Sequence, residues 1–115
     1  MNAILEKSKH FAVRIVKLSR YLQSKKQERI LSGQLLRSGT SIGANVREGT
    51  QASSRSDFIN KLSIALKESV ETEYWLELLA ETDYLTEQQF RSVYHDNKEL
   101  TKLLTAIINT AKSNH

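Results

Sequence analysis

The chain has 115 residues with a net charge of +4, a length that suits one domain with a real core and leaves little for a second module. Proline and cysteine are both absent, which excludes a disulfide framework, a cysteine zinc site and a thiol nucleophile, and leaves long helices uninterrupted. No apolar run approaches the roughly 20 residues that a membrane span needs, and residues 1 to 22 are amphipathic with regularly spaced charges, unlike a signal peptide, so a soluble cytoplasmic protein is expected.

Helical periodicity recurs four times, and no sustained alternation of the kind a half-buried strand requires is present. The first helix, residues 2 to 23, places Ile4, Phe11, Ile15, Leu18 and Leu22 on one stripe, with Ser8 and Ser19 small enough for close packing. Ser24 and Gln27 have the spacing of a capping box, which starts the second helix at 25 and runs it to 52. There Leu31, Leu35, Ile42 and Val46 gather on one side. Arg37, Ser41, Asn45 and Glu48 form a polar line opposite, within about 80° of arc. All four glycines (Gly33, Gly39, Gly43, Gly49) fall in this helix, each costing roughly 1 kcal/mol against Ala, so close helix approach is expected to offset them.

Polar residues 53 to 57 break the chain before a third helix over 57 to 82. This helix is apolar on two sides: Phe58, Leu62, Ala65, Leu66, Val70, Leu76 and Ala80 make one, while Ile64, Trp75, Leu78 and Leu79, beside Glu68 and Glu71, make the other. A monomeric bundle needs only the first side, so Ile64, Glu68, Glu71, Trp75, Leu78 and Leu79 are the expected interface of a homo-oligomer. The alternative is that this helix is central and touches two neighbours within one chain. Thr86 and Gln89 make another capping box for a fourth helix over 87 to 112, whose apolar side is Phe90, Val93, Tyr94, Leu100, Leu104, Ile107, Ile108 and Ala111. Short connections between similar helices predict an all-α, antiparallel up-down-up-down four-helix bundle spanning residues 1 to 115 as one domain.

Charge divides along the chain. Residues 1 to 62 carry 12 Lys and Arg against 4 Asp and Glu, and residues 63 to 115 carry 5 against 9. The two halves either attract each other or give the molecule a basic face for phosphate. On the first helix His10, Arg14, Lys17 and Tyr21 lie within about 60° of arc, with Lys7, Lys9 and Arg20 beside them and Lys25, Lys26 and Arg29 across the turn. These basic residues are the candidate nucleic-acid surface, set against the plainer reading of a solvated helix face.

The polar line admits two readings. Arg is the preferred partner of phosphate or carboxylate, but a polar line on a packed helix more often makes interhelical hydrogen bonds. The structural reading pairs Arg37 with Glu48, Glu71 or Glu73, and removal of a buried member then costs roughly 3 to 5 kcal/mol. Glu73, amid apolar residues, is expected to have a raised pKa unless a cation is near. His10, His95 and His115 lack ligand spacing, there is no Glu-x-x-His, P-loop or Gly-rich dinucleotide motif, and neither a metal nor a cofactor nor an enzymatic activity is expected.

The run Gln34 to Gly49 (QLLRSGTSIGANVREG), the pair Asp57-Phe58, and the run Ile64 to Leu76 (IALKESVETEYWL) together resemble the 23S ribosomal RNA intervening-sequence protein family, also called the four helix bundle protein family, over nearly the whole chain. The resemblance implies an antiparallel four-helix bundle assembling as a homopentamer, with some members encoded within insertions in bacterial ribosomal RNA genes, and it implies no known activity. A more distant, fold-level resemblance to the accessory proteins of diversity-generating retroelements implies binding of nucleic acid and of a nucleic-acid-processing protein. The expected function is therefore a non-enzymatic homo-oligomer that binds RNA or DNA through the basic surface. The alternative is a protein-interaction scaffold or accessory subunit that contacts its partner through the acidic surface of the last two helices.

Overall fold

The computed structural model describes residues 2 to 114, which form four helices: α1 (Asn2–Lys25), α2 (Ile30–Gly49), α3 (Arg55–Glu81) and α4 (Glu87–Ser113). Each helix packs against its predecessor and α4 closes back on α1, giving an up-down bundle with extents of 49 × 21 × 19 Å. The core is a single cluster. Ile4, Phe11, Ile15 and Leu22 of α1 meet Leu35, Ile42 and Val46 of α2, Leu62, Ala65, Leu76 and Leu79 of α3, and Val93, Leu100, Leu104 and Ile108 of α4.

The first turn departs from the capping box expected at Ser24 and Gln27. Gln27 adopts a positive φ of 57°, and its side-chain amide only donates to the Ser24 carbonyl at 3.0 Å. Glu28 caps α2 instead: its carboxylate accepts from the backbone N–H groups of Ile30 (3.2 Å), Leu31 (3.1 Å) and Ser32 (2.7 Å), and Ser32 Oγ donates to the Glu28 carbonyl. A carboxylate held against the positive end of a helix is favoured by the backbone dipoles as well as by the bonds. The helix consequently starts at Ile30 rather than at 25, and α1 runs on to Lys25. The other two caps are local. Ser54 Oγ accepts from Asp57 N at 3.0 Å, and Thr86 and Gln89 complete the expected box with reciprocal bonds of 3.1 and 2.9 Å.

Close helix approach accounts for two of the glycines directly. A Cβ at Gly39 would lie 2.9 Å from both γ-carbons of Ile15, and one at Gly43 would lie 3.2 Å from the Ser8 carbonyl oxygen. At Gly33 a Cβ would meet nothing within 4 Å, so packing does not explain that residue.

The α3 stripe that faces the core is Leu62, Ala65, Ser69, Thr72, Leu76 and Leu79. This corrects the sequence reading twice. Leu79, expected at an interface between copies, is fully buried within the chain, and Val70, expected in the core, is 53% exposed. The stripe's centre is occupied by hydroxyls: Thr72 Oγ1 donates to Ser38 Oγ at 2.9 Å, Ser69 Oγ lies 3.1 Å from Thr101 Oγ1, and Asn97 Nδ2 donates to the Ser69 carbonyl at 2.9 Å. Asn97 Oδ1 is the one buried side-chain polar atom among the described residues without a protein partner.

Candidate nucleic-acid interface

Basic residues of α1 fall on two sides of the helix, and the two sides have different surroundings. Arg14 faces α4, where it pairs with Asp96 at 2.7 Å and donates to Ser92 Oγ at 2.9 Å, and Lys7 lies 3.9 Å from Glu99. His10 sits in the same hollow as Lys7, Asp96 and Glu99. Tyr21 is half-buried against the core. Of the expected phosphate-binding residues, Lys7, His10 and Arg14 thus lie on a seam already supplied with carboxylates.

The other side of α1 joins α2. Lys9 shares a hollow with Leu5, Gly43, Ala44 and Arg47, continued by Glu6, Thr50 and Gln51, and Arg20 shares another with Gln23, Ser24 and Arg29. Lys17 is exposed on α1 three residues before Arg20, and Lys25 and Lys26 are exposed at the turn. None of Lys9, Lys17, Arg20, Lys25, Lys26, Arg29 and Arg47 has a carboxylate within salt-bridge distance among the described residues. The reason is visible in the sequence and completed by the fold. Between Glu6 and Glu48 the only acidic residue is Glu28, and its carboxylate is turned inward onto the α2 backbone. Arg47 had no role in the sequence reading, although it lies on the same flank of α2 as Gly39 and Gly43, the flank that meets α1.

The polar line of α2 does not act as one unit. Arg37 bridges to α3, donating to Glu68 Oε2 at 3.0 Å and to Glu71 Oε2. Ser41 and Asn45 donate to carbonyls of their own helix, those of Arg37 (2.6 Å) and Ser41 (2.8 Å). Glu48 pairs with Lys61 at 3.1 Å rather than with Arg37. Nor is Arg37 buried: its side chain is 49% exposed, which places the ion pair among those worth about 1 kcal/mol or less rather than 3 to 5. The hydrogen bond from Trp75 Nε1 (2.9 Å), followed by that from Arg37, holds the Glu71 carboxyl below its usual range. Glu73 points the other way, to α4. Burial pushes its pKa up, but hydrogen bonds from Lys98 (2.6 Å) and Tyr94 (2.5 Å) outweigh burial and leave it lowered, against the expectation for an isolated carboxyl. Burial, then the neighbouring Glu73 and Glu77 carboxylates, push the Tyr94 phenol well above its ordinary value.

Of the expected interface between copies, Ile64 is exposed, Glu68 and Glu71 carry Arg37, and Trp75 and Leu78 are half-buried; Tyr74, outside that expectation, is exposed beside Trp75. Ile30 lies 79% exposed at the start of α2. No group of three or more His, Cys, Asp or Glu residues able to hold a metal occurs among the described residues, and His115 lies outside them. No helix among the described residues is long and apolar enough to cross a membrane.

Four helices in this order, with the Gln34–Gly49 run on α2 and the Ile64–Leu76 run on α3, carry a family signature. The sequence profile of the 23S rRNA-intervening sequence proteins matches residues 2–106. The chain belongs to that family. A crystal structure of a protein with unknown function from the S23 ribosomal protein family, from Bacteroides thetaiotaomicron VPI-5482, is similar at 57% identity and a TM-score of 0.93, covering 94% of this chain and 96% of that one. The comparison with curated proteins gives no match. Family membership therefore accounts for the fold and for the α2 and α3 runs.

Proposed function

We propose that this family member is a non-enzymatic, homo-oligomeric helical bundle that binds nucleic acid through phosphate contacts from the outward face of the α1–α2 hairpin. The observation that carries this reading is the set of cations on that face that make no ion pair among the described residues: Glu28 is consumed as a helix cap, and Glu6, which lines the hollow of Lys9 and Arg47, is the single carboxylate beside them. Such a surface reads charge rather than sequence. With Lys9, Lys17, Arg20, Arg29 and Arg47 each meeting one phosphate, affinity for a duplex falls about 500-fold between 50 and 200 mM salt. Fluorescence anisotropy with a labelled oligonucleotide across that range tests it, and undetectable binding at 50 mM salt refutes it.

Assembly is the second part of the proposal. Ile64, Trp75 and Leu78 fall on one line of α3, with Tyr74 packed edge-on against Trp75, and the two carboxylates among them are both paired to Arg37, so this apolar flank suits burial against another copy. A ring of five, as the family resemblance implies, repeats the basic face around its circumference. Multi-angle light scattering at micromolar concentration measures the subunit number. The exposed acids Glu81 and Asp83 at the α3–α4 turn support the accessory-subunit reading in its place if a protein partner is retained after nuclease treatment.

A further inference from the structure

The arrangement of cations on the α1–α2 face, beyond their number, bears on which form of nucleic acid fits. Lys9 and Arg20 are eleven residues apart, which returns them to within about 20° on the same line of α1 and separates them by about 16 Å along its axis. Lys9 stands with Arg47 at one end, and Arg20 stands with Arg29 at the other. Between the two pairs the face carries Ala12, Val13 and Val16 of α1 and Leu36, Thr40 and Ala44 of α2, none of them charged, while the exposed Lys17, three residues before Arg20 and about 60° around the helix from it, adds to the second pair. The one basic residue of α2 between Arg29 and Arg47 is Arg37, and it is directed at α3.

A single strand presents one continuous row of phosphates and unstacked bases. Proteins that hold it combine a continuous cationic groove with aromatic rings on which bases stack. The α1–α2 face has neither. Its cations are in two clusters, and the only exposed Phe, Trp or Tyr among the described residues, Tyr74, is on α3. A duplex instead presents two rows of phosphates flanking a groove, about 12 Å wide for the major groove of B-form DNA, with no exposed base faces.

We infer that the partner of this face is double-stranded nucleic acid, gripped by its two phosphate rows, Lys9 and Arg47 on one and Arg20 and Arg29 on the other, with the uncharged strip between them spanning the groove. This rests on the nucleic-acid reading above and narrows it to a substrate class. The contacts reach backbone rather than base edges, so sequence is not discriminated.

The test uses the full chain and four labelled probes in anisotropy titrations at 100 mM salt: a 20-base-pair DNA duplex, the corresponding RNA duplex, and one single strand of each carrying the same number of phosphates. Both duplexes, or the one whose groove matches the spacing, are expected to bind at least about tenfold more tightly than either single strand. The double substitutions Lys9→Glu with Arg47→Glu, and Arg20→Glu with Arg29→Glu, each lower duplex affinity by more than about tenfold, since each removes two phosphate contacts. These side chains are exposed on the surface or line open hollows, and circular dichroism monitors retention of the helices. Single strands bound as tightly as duplexes overturn the inference while sparing nucleic-acid binding itself, as does a loss confined to one of the two cation pairs. Absence of binding to all four probes overturns the parent reading.

Discussion

Glu28 is the residue at which the structure and the local sequence signal disagree most, and a substitution there separates them. Glu28→Ala removes an acceptor from three backbone N–H groups, of which Ser32 N is the closest at 2.7 Å and belongs to a fully buried residue. Loss of an ordinary side-chain cap costs about 1 kcal/mol. Here the acceptor is a carboxylate at the positive end of a helix, and at least one donor is left buried without a partner, so the cost rises to about 2 to 3 kcal/mol. For a chain of this length that corresponds to a fall in Tm of roughly 8 to 12 °C. Urea unfolding followed by circular dichroism measures it, and Glu28→Gln, which keeps an acceptor and loses the charge, falls between. Gln27→Gly should go the other way, gaining up to about 1 kcal/mol because residue 27 holds φ at 57°. A loss below about 0.5 kcal/mol for Glu28→Ala, or a loss on Gln27→Gly, would refute the account of this turn.

Gly39→Ala should destabilise by about 1 to 2 kcal/mol after the gain in helix propensity, because both γ-carbons of the fully buried, rigid Ile15 lie 2.9 Å from the new methyl, whereas Gly33→Ala should stabilise by about 0.5 to 1 kcal/mol. Chemical unfolding of the pair decides whether helix approach or mere tolerance explains these glycines. Glu71 and Glu73 both have pKa values lowered from 4.5 in the folded chain, so their contribution to stability is present above that value and is lost as pH falls through the lower folded values. Lys98→Met should flatten that acid loss in a pH series of unfolding curves, and an unchanged profile would count against the Glu73 pairing. Ile64→Glu should reduce the assembly to smaller species by light scattering while leaving helical content intact, and an unaltered mass would remove the α3 flank as the contact between copies.

The four helices and the Thr86 box were readable because both depend on residues within one or two turns of each other. The α1–α2 turn was not, since the use of Glu28 as a cap depends on a backbone bend at Gln27 that no side-chain spacing announces. On α3 the apolar pattern misled in phase. Ser69 and Thr72 occupy the middle of the buried stripe with hydroxyls satisfied by nearby carbonyls and by Ser38 and Thr101, so the hydrophobic residues alone mark its margins, and Val70 and Leu79 were exchanged. The candidate basic residues were identifiable from composition, but which of them are free was not. Arg14 meets Asp96 and Lys7 meets Glu99 across more than eighty residues of sequence, and Arg47 joins Lys9 only once the glycines bring α2 against α1.

The hydroxyls at the centre of the bundle also bear on alignment. Thr72 reaches Ser38 on one neighbouring helix, and Ser69 with its carbonyl reaches Thr101 and Asn97 on the other. Leucines would tolerate a helix sliding one turn along its partner, but these polar atoms would then face hydrocarbon, at a cost of about 1 to 3 kcal/mol for each one stranded. Three helices are thereby pinned at a common height, and the hairpin bearing the cation clusters inherits a fixed offset from the flank that carries Trp75.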